Sequence, residues 1–284
     1  MKRLIAILSC VALCCGLLGG CAGTPTEEPP KQYTPTGNGT GLLTSVKVVP
    51  ATEKIKREDD PQIYSESVEI SCAQNEYESA QIIVNAKEKI DDLYVTVSDL
   101  KSGSNTVSSQ NISVYWEHYI FFKQRDIQNP NVTGLTEGYY PDALVPLNLR
   151  REKKESQVEK GQNQGIWITV KTEENTPAGN YAGKITLFAD GKEEKTQIDF
   201  NLEVYDFALP KANHGQTAFA IWDLGAPTTN MLHLGYGDDA DFETISENYY
   251  EFLLDYRISP TWIPNQSMLS FEERMQSYLT NLER

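Results

Sequence analysis

The sequence holds 40 acidic side chains, and the chemistry that acids of this kind perform is proton transfer by paired carboxylates. Adjacent acids include Asp59-Asp60, Asp91-Asp92, Glu193-Glu194, Asp238-Asp239 and Glu272-Glu273. They fall in turn signals or near predicted helix ends, where solvated acids are common. His118, His214 and His233 are far apart, and no HExxH or paired-cysteine spacing exists, so no zinc motif is present. Gly235-Tyr236-Gly237-Asp238-Asp239-Ala240 fits the dinucleotide-loop spacing but would set two aspartates against a pyrophosphate, which charge forbids. Asp239-Ala240-Asp241-Phe242-Glu243 opens like a calcium loop, yet Thr244 replaces the sixth-position glycine and Tyr250 the final glutamate. No GxSxG elbow occurs. The residues alone assign no catalytic group, no metal and no cofactor.

The cysteines carry a more specific signal. Lys2 and Arg3 precede an apolar run over residues 4–18, shorter than the roughly 20 residues a spanning helix needs. Leu18-Gly19-Gly20-Cys21 then resembles the lipobox of bacterial lipoproteins. On that reading, residues 1–20 are a signal peptide, Cys10, Cys14 and Cys15 leave with it, and Cys21 becomes the lipidated N-terminus. Cys72 is then the one thiol left, so no internal disulfide can form. Two or more acyl chains hold a protein stably on a membrane, so the chain is expected to be extracytoplasmic and membrane-anchored. Residues 21–41 are rich in Pro, Gly and Thr without apolar periodicity, the composition of a disordered tether.

The elements that follow are of two kinds. Over residues 42–210 the apolar period is two, clearest where Ile198, Phe200, Leu202 and Val204 alternate with Gln197, Asp199, Asn201 and Glu203. Similar alternation marks 45–49, 67–71, 80–85, 93–97, 113–121, 166–170 and 181–188, which predicts an antiparallel β-sandwich of about eight strands. Residues 123–160 interrupt the pattern as an unusually long connection. After Pro210 the period changes: Phe242, Ile245, Tyr249, Phe252, Leu253 and Tyr256 predict an amphipathic helix, with Ser259-Pro260 preventing its continuation. Residues 217–222 and 258–263 read as extended and 271–282 as helical, so 211–284 reads as strand, helix, strand, helix. The fold class expected is therefore mainly β, an antiparallel sandwich followed by an incomplete α/β segment of barrel type. These 74 residues would supply about two of the eight units of a barrel. Either they are an appendage, or the chain is the front part of a longer protein.

The net charge is −15, and becomes two units more negative without Lys2 and Arg3. Nucleic acid is thereby excluded as a partner. The composition, 39% hydrophobic and 23% charged, excludes a disordered chain and a multi-pass membrane protein.

Five blocks in order carry a resemblance: Asn75-Glu76-Tyr77-Glu78-Ser79-Ala80-Gln81, Tyr140-Pro141-Asp142-Ala143-Leu144-Val145-Pro146, Gln164-Gly165-Ile166-Trp167-Ile168, Thr176-Pro177-Ala178-Gly179-Asn180-Tyr181-Ala182-Gly183, and Val204-Tyr205-Asp206-Phe207-Ala208-Leu209-Pro210. Over roughly residues 43–264 the chain resembles the N-terminal region of glycoside hydrolase family 123 and its relatives. The resemblance implies a β-sandwich followed by the start of a (β/α)-barrel, and a retaining β-N-acetylgalactosaminidase that uses the substrate's own acetamido oxygen as nucleophile. The family's adjacent Asp-Glu pair has no counterpart, because no Asp-Glu dipeptide occurs in this sequence. No catalytic residue is carried over. As structure alone, Pro177-Ala178-Gly179-Asn180 reads as a turn into a strand, Gly183 as a close backbone approach, and 206–210 as a strand exit.

Within a barrel, reacting and binding groups sit at the C-terminal ends of the strands. That rule marks Trp222 and Asp223 after the first predicted strand, and Thr261 and Trp262 near the end of the second, as candidate substrate contacts. A tryptophan there would stack on a sugar ring and an aspartate would accept hydroxyl hydrogen bonds. Two function classes follow. One is a surface-anchored front portion of a family 123-type hydrolase acting on N-acetylgalactosamine-containing glycans, inactive alone. The other is a non-catalytic surface lipoprotein that binds glycan or packs on a partner.

Overall fold

The structure, a computed structural model, describes residues 41–62, 64–123, 136–211 and 242–259. Eleven strands and two α-helices are described: β1 (Leu43–Val49), β2 (Ser67–Gln74), β3 (Tyr77–Ala86), β4 (Leu93–Val97), β5 (Leu100–Ser102), β6 (Asn105–Val107), β7 (Ile112–Phe122), β8 (Gly138–Pro146), α1 (Leu147–Glu152), β9 (Asn163–Lys171), β10 (Gly179–Ala189), β11 (Lys192–Ala208) and α2 (Phe242–Asp255). Sheet A has the order β1-β3-β9-β7-β8, antiparallel throughout. Sheet B has the order β2-β11-β10-β5-β6, with β4 also pairing β10. The inward faces share one core, to which sheet A gives Ile82, Val84, Trp116, Ile166 and Ile168 and sheet B gives Val68, Ile70, Ile185, Phe200 and Leu202. Cys72 is a free buried thiol in that core, raised to about 11 by desolvation, which makes it unreactive.

The period-two segments all form strands, because alternating residues can satisfy both a core face and a wet face only in extended chain. Ala189-Asp190-Gly191-Lys192 closes a two-residue hairpin, with φ of 53° at Asp190 and 75° at Gly191, both positive as the strand twist demands. Asp190 Oδ1 also accepts the amides of Asp91 and Asp92, at 2.8 and 3.0 Å. Gly183 is a close approach: a Cβ there would stand 2.8 Å from Ser98 Oγ and 2.9 Å from Asp99 O, where the chain crosses from β4 to β5 along the edge of β10.

The structure corrects two expectations. Sheet B is not wholly antiparallel, since β2 and β11 run parallel from Ser67↔Asp199 to Cys72↔Val204. Strand direction follows the connections, which alternation does not encode. The interval 123–160 contains β8 and α1; β8 escaped detection because Pro141 and Pro146 argue against a central strand, and it lies at the edge of sheet A, where proline is tolerated. Helix α1 buries Leu147 and sends Arg151 to β4's neighbour Asp92, with Nε to Oδ1 at 2.9 Å and Nη2 to Oδ2 at 2.7 Å. Ser156 adds a third hydrogen bond to Oδ1 at 2.8 Å, and Arg151 lies 4.0 Å over the Tyr94 ring. Arg151 holds the Asp92 carboxyl below its usual range, so this staple joins the end of sheet A to sheet B.

Helix α2 forms where the 3.6-residue period predicts, burying Tyr250 and Leu253 and exposing Phe252. It stops before Pro260 by a cap of its own: Ile258 N–H donates to Leu253 O at 2.8 Å and Arg257 N–H to Leu254 O at 2.9 Å, with Arg257 at φ 58°. This is a Schellman ending with arginine where glycine is usual. The incomplete barrel-type segment around α2 is otherwise outside the described residues.

Candidate functional site

Cys21, Trp222, Asp223, Thr261 and Trp262 all lie outside the described residues, as do His214, His233, Asp238-Asp239 and Glu272-Glu273. Among the described residues the acid pairs serve turns and ion pairs. Asp59 Oδ2 accepts the Lys56 amide at 3.1 Å, Asp60 pairs with Lys47 at 2.6 Å, and Asp92 pairs with Arg151. His118 is exposed on β7. Among the described residues no group of three His, Cys, Asp or Glu side chains could hold a metal.

The structure does bring together two of the sequence blocks at the point where the sandwich hands over to the following segment. Asn75 adopts φ 56°, a conformation asparagine tolerates, between β2 and β3. Its Nδ2 donates to Leu209 O at 2.8 Å, while Leu209 N–H donates to Gln74 O at 2.9 Å, so the first block grips the strand exit. Glu76 Oε2 accepts the Ala73 amide at 2.6 Å, and Thr172 Oγ1 donates to Ala73 O at 2.7 Å, fixing the turn from below. Tyr77 then stacks on Tyr256 at the end of α2, centroids 4.4 Å apart and planes 21° apart, with Lys171 Nζ 5.1 Å over the Tyr77 ring. Arg257 Nε donates to Pro210 O at 3.1 Å and its Nη2 donates to Asn75 O. Asn75, Tyr77, Leu209, Pro210, Tyr256 and Arg257 thus form one joint. Its polar groups are engaged in positioning, and its chemical role is to set where the segment after Pro210 begins.

The second cluster was invisible to sequence reasoning. Glu117 on β7 reads as one of the polar positions in an alternating strand, yet it is 2% exposed. Neither carboxylate oxygen has a hydrogen-bond partner among the described residues. Gly165 lies beside it on β9, and any Cβ there would overlap the carboxyl group, so glycine is what makes room. Gln164 Nε2 donates to Glu117 O at 2.8 Å, and Tyr119 OH donates to Ile55 O at 3.2 Å, binding the segment after β1 down over this face. Gln81 does the same through Pro50 O and Glu53 O, both at 2.6 Å. Desolvation pushes Glu117 up to about 7, opposed by the charge of Lys54. A value near neutrality suits a general acid, but a group sealed from solvent cannot reach a glycosidic oxygen. Glu117 is a buried structural acid.

Residues 53–189, which run from the segment over Glu117 to the end of β10, match the family model described as the glycoside hydrolase 123 N-terminal domain. No curated protein matches the chain. Among solved structures, the chain is similar to a family 123 glycoside hydrolase from Clostridium perfringens studied for glycolipid glycan hydrolysis, with 15% identity and a TM-score of 0.51 over 74% of this chain. That alignment covers 34% of the other protein, so this chain spans about a third of its length. A macrocyclization catalyst of alchivemycin A biosynthesis (7% identity, 60% of this chain, 93% of that one, TM-score 0.31) and a Niemann-Pick type C2 protein from the Japanese carpenter ant (12%, 61%, 98%, 0.28) are more distant, and no argument rests on them. Residues 53–189 of the sandwich are thus similar to the glycoside hydrolase 123 N-terminal domain, and the solved family 123 structure shares the fold.

Proposed function

We propose that the chain is the front portion of a surface-anchored glycoside hydrolase of the family 123 type, that the enzyme acts on N-acetylgalactosamine-containing glycans, and that these 284 residues do not turn over substrate alone. The observation carrying the reading is the match of residues 53–189 to the N-terminal domain of that family, joined through Asn75, Tyr77 and Arg257 to a helix where a barrel would begin. In this reading the sandwich positions the catalytic segment, Cys21 carries the lipid anchor, and Trp222, Asp223, Thr261 and Trp262 form part of the rim of the substrate pocket.

Two measurements test it. The purified chain is expected to leave an aryl β-N-acetylgalactosaminide intact, while a longer product of the same reading frame hydrolyses it. Turnover by the chain above blank, lost on substitution of one of its own acids, would overturn the inactivity. For the anchor, Cys21→Ala is expected to move the protein from the membrane fraction to the soluble one; unchanged partitioning would refute lipidation.

A further inference from the structure

We propose that the outward face of sheet B holds a non-catalytic saccharide site. The three strands β10, β11 and β2 form a groove there of about 360 Å³, at the small end of the range for small-molecule sites, roughly 300–1,000 Å³. Register places its side chains in rows across the strands. One row is Asn180, Glu203 and Ser71; the next is Ala182, Asn201 and Glu69. Ala182, small beside its longer neighbours, lies between Asn201 and Lys101 of β5, which register sets opposite it.

The groove's chemistry suits sugar hydroxyls. Asn180 and Asn201 present amides that both donate and accept, and Glu69 and Glu203 present acceptors, which together match the mixed donor and acceptor character of vicinal hydroxyls. The groups are preorganised: Asn201 Nδ2 donates to Glu69 Oε1 at 2.8 Å, Ser67 Oγ donates to the same oxygen at 2.8 Å, and Ser71 Oγ donates to Glu203 Oε2 at 2.9 Å. Both glutamates are exposed. Holding the side chains before binding lowers the ordering cost that weak polar ligands must meet.

A second, independent feature lies further along β11, where its pairing with β2 becomes irregular between Val204 and Ala208. Tyr205 and Phe207 are 41% and 56% exposed, with rings 5.9 Å apart and within 7° of parallel. Two parallel, solvent-facing rings on the strand that carries Asn201 and Glu203 offer a platform for the apolar face of one pyranose of a chain whose next unit reaches the amides and carboxylates. The charge of the groove selects a neutral ligand. Glu69 and Glu203 lie in it, the nearby Lys184 is paired with Asp199, and Lys101 beside Ala182 sets one positive charge against two carboxylates, so anionic sugars are disfavoured. The occupant is a neutral pyranoside oligosaccharide. This rests on the carbohydrate reading of the protein, but not on the activity of any segment after Pro210.

The test is calorimetric and NMR titration of the full chain with three probes: an N-acetylgalactosamine-terminated neutral oligosaccharide, a neutral glucan oligosaccharide and a sialylated oligosaccharide. Saturable binding of a neutral probe is expected at millimolar or lower concentration, at least tenfold weaker in Asn201→Ala and in Tyr205→Ala with thermal unfolding unchanged. The isosteric Glu203→Gln variant, which keeps the fold and the shape, is expected to reduce the discrimination against the sialylated probe. No saturable binding of any neutral probe, or binding unmoved by all three substitutions, would overturn the site. Binding of the glucan in preference to the aminosugar would support the groove while counting against the substrate class proposed above, so the two ideas fail separately.

Discussion

At Glu117 a carboxyl group is held without a hydrogen-bond partner among the described residues, and its protonation is therefore coupled to folding. The usual value of 4.5 is raised to about 7, so between those limits the folded chain binds a proton the unfolded chain has released. Stability contributed by the neutral acid is present below about pH 4.5, falls as pH rises to about 7, and is absent above that. The rise from 4.5 to about 7 corresponds to about 3 kcal/mol. Glu117→Gln is accordingly expected to unfold at higher temperature than the parent at pH 8 and within about a degree of it at pH 4.5; equal gains at both would show that ionisation is not the cause. This residue also marks where the sequence stops being informative. Glu117 sits in the polar register of β7, so the alternation predicts a wet side chain; what buries it is the chain after β1, held down through Gln81 and Tyr119, a contact made at 28 to 64 residues' separation. Gly183, by contrast, was legible because glycine inside a strand has few other reasons to be there.

At the scale of elements, the end of α2 shows how a strained residue can be kept. Arg257 in the left-handed region costs about 1–2 kcal/mol relative to glycine, and its side chain offsets that through Pro210 O and Asn75 O. Arg257→Ala keeps the strain and loses the anchors, whereas Arg257→Gly relieves the strain as it loses them. Thermal melts are expected to rank the parent as stable as Arg257→Gly or more so, and Arg257→Ala as the least stable, by about 1–2 kcal/mol; alanine and glycine melting together would remove the strain argument. The helix was readable from its period and its end from Ser259-Pro260, but not the left-handed Arg257 of its cap, whose side chain is anchored by residues far away in sequence. The same division explains β8, whose prolines hid a strand that its edge position permits.

For the whole molecule, the tether and the sandwich should differ in their resistance to attack. Limited proteolysis is expected to cut within residues 24–41 before any site in β1–β11; simultaneous early cutting within the strands would contradict the sandwich boundaries. The fold class was legible because two-residue periodicity survives any arrangement of strands. The candidate substrate contacts depend on elements beyond Pro210, and they lie outside the described residues. The parallel pairing of β2 with β11 has one further result. Ser71 and Glu203, bonded across that pair, are 132 residues apart, so Val68, Ile70 and Cys72 have no neighbouring strand on that side until the last strand of the sandwich arrives. Such long-range closure slows folding. During synthesis the sheet cannot be completed while residues 192–208 are still inside the ribosome, which keeps the emerging chain open and threadable for longer than a hairpin-by-hairpin sandwich would be.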